Sequence, residues 1–309
     1  MRTDPPASPL IAAPHHLATP ASQQERVAEA IARAQRSAVS IETVNSGGPS
    51  RGAGTVVRPG YATTAAHMVE STSQTIYYAA LDAQGQRTVG RATVVGVAPD
   101  LDIALLRLDN DTIPAARFSR RAPRLGDTTI VLGDPRGYEN SATVGVVSGL
   151  HRNLGSPICD CVQTDAPINP GNSGAGAFNL DGELTGQVVG LLEGDQSIGF
   201  ITSGTTFERV IDRLMRGNLR ITEPGFTLGN LSLAQTFNSG QRVIDGPVVT
   251  ATTVHGLQQY DRVLAVDGQR TTTIAEARAL LALVEPGQQY RLRVARGNQM
   301  LELTLTKPR

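Results

Sequence analysis

The distribution of apolar residues changes character three times along the chain. Residues 1–21 show no periodicity and are rich in Pro, Ala, Ser and Thr, a composition that predicts a disordered or extended arm. Ser22-x-x-Glu25 then forms a capping box, and Val27, Ile31 and Ala34 recur at helical spacing, predicting a short helix. From Ser37 to Ile201 the pattern is one of short β-branched runs broken by Gly, Pro, Asn and Asp. The runs are Val39–Val44, Gly54–Val57, Thr75–Ala80, Arg91–Val97, Ile103–Leu108, Thr128–Leu132, Thr143–Val147, Gln187–Leu192 and Ile198–Ile201. Many short strands with frequent turn signals point to an antiparallel barrel or sandwich. A second capping box, Thr205-x-x-Glu208, is expected to open a helix with Phe207, Val210, Ile211 and Leu214 on one face and Gly217 at its stop.

Pro224-Gly225 begins a different pattern. Strands are expected at Val248–Thr252, Arg262–Val266, Tyr290–Arg296 and Met300–Leu305, with Gly297-Asn298 as a two-residue hairpin turn. Thr273-x-x-Glu276 caps a helix that carries Ile274, Ala277, Leu280, Leu281 and Val284. The expected organisation is an arm at 1–21, a strand-rich domain at 22–219 and a small mixed domain at 220–309. A chain of 309 residues accommodates two domains, since one core rarely serves much beyond ~250 residues.

Composition narrows the function classes. Hydrophobic residues at 40% and charged residues at 18% describe an ordinary globular protein. A formal net charge of 0 gives no electrostatic case for nucleic acid or an anionic membrane as partner. No apolar run reaches the ~20 residues of a membrane span. Met1 to Pro20 holds five prolines and no apolar core of signal-peptide type, so the chain is either cytoplasmic or preceded by an export signal. Cys159 and Cys161 are the only cysteines. Their spacing directs both to one face of a strand, and the expectation is two small half-buried residues, with a redox-active disulfide or half a metal site as alternatives. Nothing else completes a metal site, and no cofactor motif is present.

The chemistry concentrates at Pro170-Gly171-Asn172-Ser173-Gly174. Glycines on both sides of a serine let the backbone turn so that amides and hydroxyl face one point, as acyl transfer requires. A base and an orienting acid must come from elsewhere. Of five histidines, His15 and His16 lie in the arm, His151 in a turn-rich loop and His255 in the second domain. His67 follows a strand that ends in Ala65-Ala66, so small side chains surround the imidazole. Asp102 stands at the mouth of the apolar run Ile103–Leu108, where a carboxylate is costly without a donor such as an imidazole N–H. Asp100 is its local rival. The order His67, Asp102, Ser173 is that of chymotrypsin-type enzymes, whereas α/β-hydrolases run Ser, Asp, His. Position 175 is alanine, which breaks the Gly-x-Ser-x-Gly of those hydrolases and disfavours an esterase on that fold.

Thr64-Ala65-Ala66-His67, Asp102-Ile103-Ala104-Leu105 and the stretch from Gln163 to Gly174 resemble the three catalytic motifs of the HtrA/Deg serine proteases. Asp261 to Gly268 is similar to the PDZ domain that follows the protease in that family. The resemblance implies a mainly β fold, with a chymotrypsin-like double β-barrel protease domain followed by a small α+β PDZ domain. It implies a serine endopeptidase acting on unfolded or damaged protein, with His67, Asp102 and Ser173 as triad and Gly171, Asn172 and Ser173 framing the oxyanion hole. Pro167, Ile168, Ile198, Gly199 and Phe200 would line an uncharged primary pocket that suits small aliphatic residues. Asn172, being uncharged, argues against activation by pairing with a freshly cut N-terminus. Leu228, Gly229 and Asn230 would bind the C-terminal peptide ligand of the PDZ domain. Family members are mostly extracytoplasmic, chiefly periplasmic, and assemble as trimers through N-terminal aromatics, which this arm lacks before Tyr61. Ala175, in place of the family's second glycine, is expected to crowd the nucleophile's segment. The other reading is a catalytically silent protease-fold scaffold that binds peptides or partner proteins.

Overall fold

The computed structural model describes residues 22–134, 137–138, 141–152, 160–191, 197–217, 224–229 and 246–309. The arm at 1–21, Cys159 and Asn230 lie outside them.

The first helix, α1 (Gln23–Gln35), starts at the anticipated capping box, with the Ser22 side chain accepting from the Glu25 amide. Its buried face is Ala30 and Ala34 with Ile31 packed alongside. Six strands follow: β1 (Ala38–Asn45), β2 (Gly48–Arg58), β3 (Tyr61–Thr64), β4 (Ile76–Leu81), β5 (Arg87–Ala98) and β6 (Ile103–Leu108). They close into a barrel in the order β1-β2-β3-β6-β5-β4. A second barrel, ordered β10-β11-β12-β9-β8-β7, uses β7 (Thr128–Gly133), β8 (Ser141–Arg152), β9 (Cys161–Thr164), β10 (Gly176–Phe178), β11 (Leu184–Leu191) and β12 (Gly199–Thr202). This is a chymotrypsin-like double barrel. Closure removes free sheet edges, which short β-branched strands would otherwise expose.

Each barrel has its own interior. Val39, Ile41, Val56, Ile76 and Leu106 fill the first, and Val131, Val147, Val162, Ala177 and Ile201 fill the second. A further cluster joins them. Ile103 and Leu105 of β6, Ile130 and Leu132 of β7, and Phe178 meet helix α2 (Gly204–Met215) through Phe207, Val210, Ile211 and Leu214. Those four residues are the stripe expected from periodicity, and all are buried. The start of α2 corrects the expectation. Its N-cap is Ser203 rather than Thr205, and no side-chain capping bond forms. The flanking strand β12 ends at Thr202, so the chain enters the helix immediately and leaves no room for the later cap.

The remaining strands form a third sheet, consistent with a PDZ domain: β13 (Phe226–Gly229), β14 (Val248–Thr252), β15 (Arg262–Val266), β17 (Gln289–Arg296) and β18 (Gln299–Thr306), with β16 (Gln269–Arg270) paired to β15. Helix α3 (Ile274–Ala282) covers one face, and its Thr273 capping box forms as expected. The β17–β18 hairpin turns at Gly297-Asn298, with Gly297 at φ 56°. Val263, Val266, Leu281, Tyr290, Leu292 and Val294 make its core.

The third unit touches the second barrel. Arg213, almost fully buried near the end of α2, reaches the Leu283 carbonyl and the Glu285 carboxylate. His151 bridges too. It belongs to the end of β8, at φ 54°, rather than to a loop as its surroundings suggested. Its Nδ1 lies 2.9 Å from Asp160 Oδ1 and its Nε2 lies 3.6 Å from Glu276 Oε1 of α3. The cysteine expectation is also corrected: Cys161 is fully buried and disulfide-bonded, and Cys159 is the only other cysteine in the chain. Among the described residues no metal-binding group of His, Cys, Asp and Glu occurs, and no helix is long and apolar enough to cross a membrane.

Candidate active site

The two barrels bring the serine turn against the segment that leads to His67: Gly174 lies against Thr64 and Ala65. His67 sits on a short 3-10 turn, Ala66–Met68, just after β3. Asp102 follows a second 3-10 turn, Pro99–Leu101, and its backbone is left-handed at φ 53°. Asp tolerates that conformation better than most residues, and here it swings the carboxylate out of the strand direction toward the histidine. His67 Nδ1 lies 2.8 Å from Asp102 Oδ2 and 3.0 Å from Oδ1, while the His67 amide donates to Oδ1 at 2.9 Å. The carboxylate therefore holds both the ring and the main chain of His67. The hydrogen bond that His67 donates to Asp102 raises the His67 pKa above its ordinary value, against partial burial, with the Asp102 charge adding to the rise.

Ser173 lies on the turn between β9 and β10. Gly171 (φ 101°) and Gly174 (φ 80°) adopt backbone that only glycine accepts readily. Gly174 is constrained twice, because a Cβ there would stand 2.5 Å from both the Ala53 carbonyl and the Ala65 amide. The turn is pinned across the barrel interface: the Ala53 amide of β2 donates to the Ser173 carbonyl at 2.9 Å, and the Asp134 amide to the Gly171 carbonyl at 3.3 Å. Asn172 is buried, and its amide donates to the Asn169 carbonyl at 2.9 Å. The amides of Gly171 and Ser173 make no hydrogen bond among the described residues, and neither does the Ser173 hydroxyl. Ala175 does not crowd the turn. It avoids the left-handed region, and its methyl packs in the second barrel's core.

The expected pocket residues divide. Ile168 packs over Gly199, whose missing side chain leaves the space it occupies. Pro167 is exposed, and its carbonyl accepts from Thr143 Oγ1 at 2.9 Å. Ile198 and Phe200 point to the other face of β12, into a cluster with Cys161 and Val189. Alternation along a strand explains the split: residues two apart share a face, so Gly199 and Phe200 cannot both face Ile168. On the third sheet, Leu228 is buried in the core rather than facing a ligand, and its carbonyl accepts from Arg278 Nη2 of α3 at 2.9 Å. Gly229 ends β13 against Thr250.

One residue escaped sequence reasoning. Gln187 of β11 is fully buried, and its Nε2 donates to the carbonyls of Thr64 (3.2 Å) and Asp102 (3.1 Å). It ties the second barrel to the segments that carry His67 and Asp102. An amide among Val188, Val189 and Leu184 is the signal that could have exposed it, since buried polar side chains are present for their hydrogen bonds.

Comparison with known proteins bears on the fold and the family. A model of the trypsin-like peptidase domain matches residues 52–191. A probable periplasmic serine endoprotease, DegP-like, of Chlamydia pneumoniae is 32% identical over 270 residues, spanning 83% of this chain and 54% of the relative. The DegP-like counterpart of Halomonas elongata is 30% identical over 274 residues, spanning 83% and 56%. The chain thus spans about half the length of the curated relatives it matches. Among solved structures, the HtrA-type protease AlgW with tripeptide superposes with a TM-score of 0.72 at 27% identity, covering 91% of this chain and 96% of that one.

Proposed function

Given a trypsin-like peptidase domain, DegP-like serine endoprotease homologues and HtrA-type structural neighbours, we propose that this protein is a serine endopeptidase that cleaves unfolded or damaged protein through an acyl-enzyme. The observation that carries the reading is the two-point grip of Asp102 on His67, opposite a serine turn pinned between barrels. Ser173 attacks the scissile carbonyl, His67 takes its proton and returns it to the leaving amine, and Asp102 holds the Nδ1–H tautomer and stabilises the imidazolium. The amides of Gly171 and Ser173, with Asn172 shaping the turn between them, receive the oxyanion, where one donor is worth ~3 kcal/mol. Ile168 over Gly199 makes the primary pocket shallow and uncharged, which suits Val, Ala, Leu or Ile before the scissile bond. Efficient cleavage after arginine in a peptide library would sink that assignment.

Residues 22–219 act as the protease domain and 220–309 as the regulatory PDZ-like domain. A C-terminal peptide would add along the β13 edge, beside Arg278. By analogy with relatives named periplasmic, the protein works outside the cytoplasm, and a homotrimer is its expected assembly, testable by analytical ultracentrifugation.

One observation favours the scaffold reading: the Ser173 hydroxyl makes no hydrogen bond to His67 among the described residues. Labelling with a fluorophosphonate probe decides between the two. Labelling of wild type that is lost in Ser173→Ala supports the endopeptidase. Absence of labelling, even with peptide activators added, supports the scaffold.

A further inference from the structure

The outer face of the third sheet carries a groove of about 430 Å³ that serves neither the triad nor the β13 edge. Arg262, Arg270 and Arg293 line it. The strand register explains why they converge. Arg270 of β16 and Arg293 of β17 both pair with Ala265 of β15, one from each side. A register shift between Val263 and Ala265 turns Ala265 to the outer face, on which Arg262 also stands. Two strand spacings separate the flanking arginines, roughly 10 Å between backbones, and the methyl group between them leaves both guanidinium groups free to lean inward. Met300, which is 60% exposed, forms an apolar lip.

None of the three guanidinium groups makes a hydrogen bond or ion pair among the described residues. This sets them apart in a chain whose arginines are commonly paired, as Arg296 is with Asp261 at 2.7 Å. Among the described residues no carboxylate lines the groove. Two carboxylates stand nearby: Glu302, opposite Arg293 across the β17–β18 pair, also faces Arg291 at 3.8 Å, and Asp267 Oδ1 accepts from the Arg291 amide at 2.8 Å.

Three arginines with one neighbouring carboxylate, over a small apolar floor, leave an excess of positive charge that one ligand chemistry matches best. A lone carboxylate has two oxygens and one charge, which one guanidinium fork satisfies. A phosphate monoester has two charges and three terminal oxygens, enough to engage forks from both sides of Ala265 at once. We propose that this groove is a binding site for a phosphate monoester, its apolar floor and the Met300 lip receiving the group attached to the phosphate. A soluble phosphate ester and the headgroup of phosphatidic acid share this chemistry.

The test uses the full chain, with glycerol 3-phosphate as the soluble probe and phosphatidylcholine vesicles with and without phosphatidic acid as the lipid probe. Binding is read by calorimetry and by co-sedimentation. The variants are Arg270→Gln/Arg293→Gln, which keeps the side-chain stems, and Arg117→Gln, an exposed arginine paired with Glu183, as a cationic control outside the groove. Wild type should bind at least one probe, the double variant should weaken that binding by about tenfold or more, and Arg117→Gln should leave it unchanged. Binding of glycerol 3-phosphate identifies a soluble ester as the natural source, and binding only of phosphatidic acid vesicles identifies the lipid. Peptide hydrolysis should be equal in all variants, so a protease that fails to cleave is distinguishable from a groove that fails to bind. No binding of either probe, or binding that the double variant retains, overturns the proposal.

Discussion

Gln187→Met removes the amide that braces the Asp102 segment while keeping nearly the same volume. Two donor contacts are lost, to the carbonyls of Thr64 and Asp102. Each contributes about 1 kcal/mol net, and more where the carbonyl is left unpaired. An opposing effect comes from Gln187 Oε1, which is buried without a partner among the described residues. Removing it recovers about 1 kcal/mol or more of desolvation. The balance is a loss of roughly 1–3 kcal/mol, read as a lower midpoint in urea with an unchanged slope. The kinetic effect should exceed what stability alone would cause. The Asp102 carbonyl is the anchor for a residue whose carboxylate positions His67, so kcat should fall about tenfold while KM stays near wild type. Gln187→Glu should be worse than Met, because it buries a carboxylate against two carbonyl oxygens. If Gln187→Met matches wild type in both midpoint and kcat, the bracing role is refuted. If it loses stability but not kcat, Gln187 is a structural tie alone.

Gly174→Ala should cost roughly 1–3 kcal/mol from its left-handed backbone, with the contact against Ala53 and Ala65 in addition; fluorophosphonate labelling should fall along with the unfolding midpoint. The raised His67 pKa has a definite sign in kinetics. The ring must be neutral to act as base, so kcat/KM should rise with pH to a midpoint above the ordinary ~6.5 of imidazole, and a midpoint below that value contradicts the Asp102 grip. His151 makes a parallel prediction for stability. Its bond to Asp160 raises its pKa against partial burial, with the charges of Asp160 and Glu276 adding to the rise. Glu276 is held low despite burial, by hydrogen bonds from Thr272 and by His151. The advantage of wild type over His151→Gln should therefore be full below the unfolded imidazole pKa and should disappear as pH rises through the raised folded value, as followed by thermal unfolding across that range.

The elements of this protein were largely legible in its sequence because their signals are local. Two capping boxes, the stripe of Phe207, Val210, Ile211 and Leu214, and the Gly297-Asn298 turn each depend on residues within a few positions. The candidates His67, Asp102 and Ser173 were legible for the same reason, each lying in a short motif with unusual neighbours. What proximity along the chain cannot encode is which face a side chain takes once strands pair. That is why Phe200 and Leu228 were assigned to sites they turn away from. The cap of α2 moved because β12 claims the residues just before it. Gln187 was invisible, since its partners lie 123 and 85 residues away. Likewise, Arg262, Arg270 and Arg293 lie apart along the chain, and only a bulge and two strand pairings set them around one alanine. The sequence determined the strands, the helices and the candidate residues His67, Asp102 and Ser173. Only the pairing of β3 with β6 decided that Asp102 holds His67, and only the docking of the second barrel set the Ser173 turn against the same segment, because those contacts depend on long-range strand register rather than on local propensity.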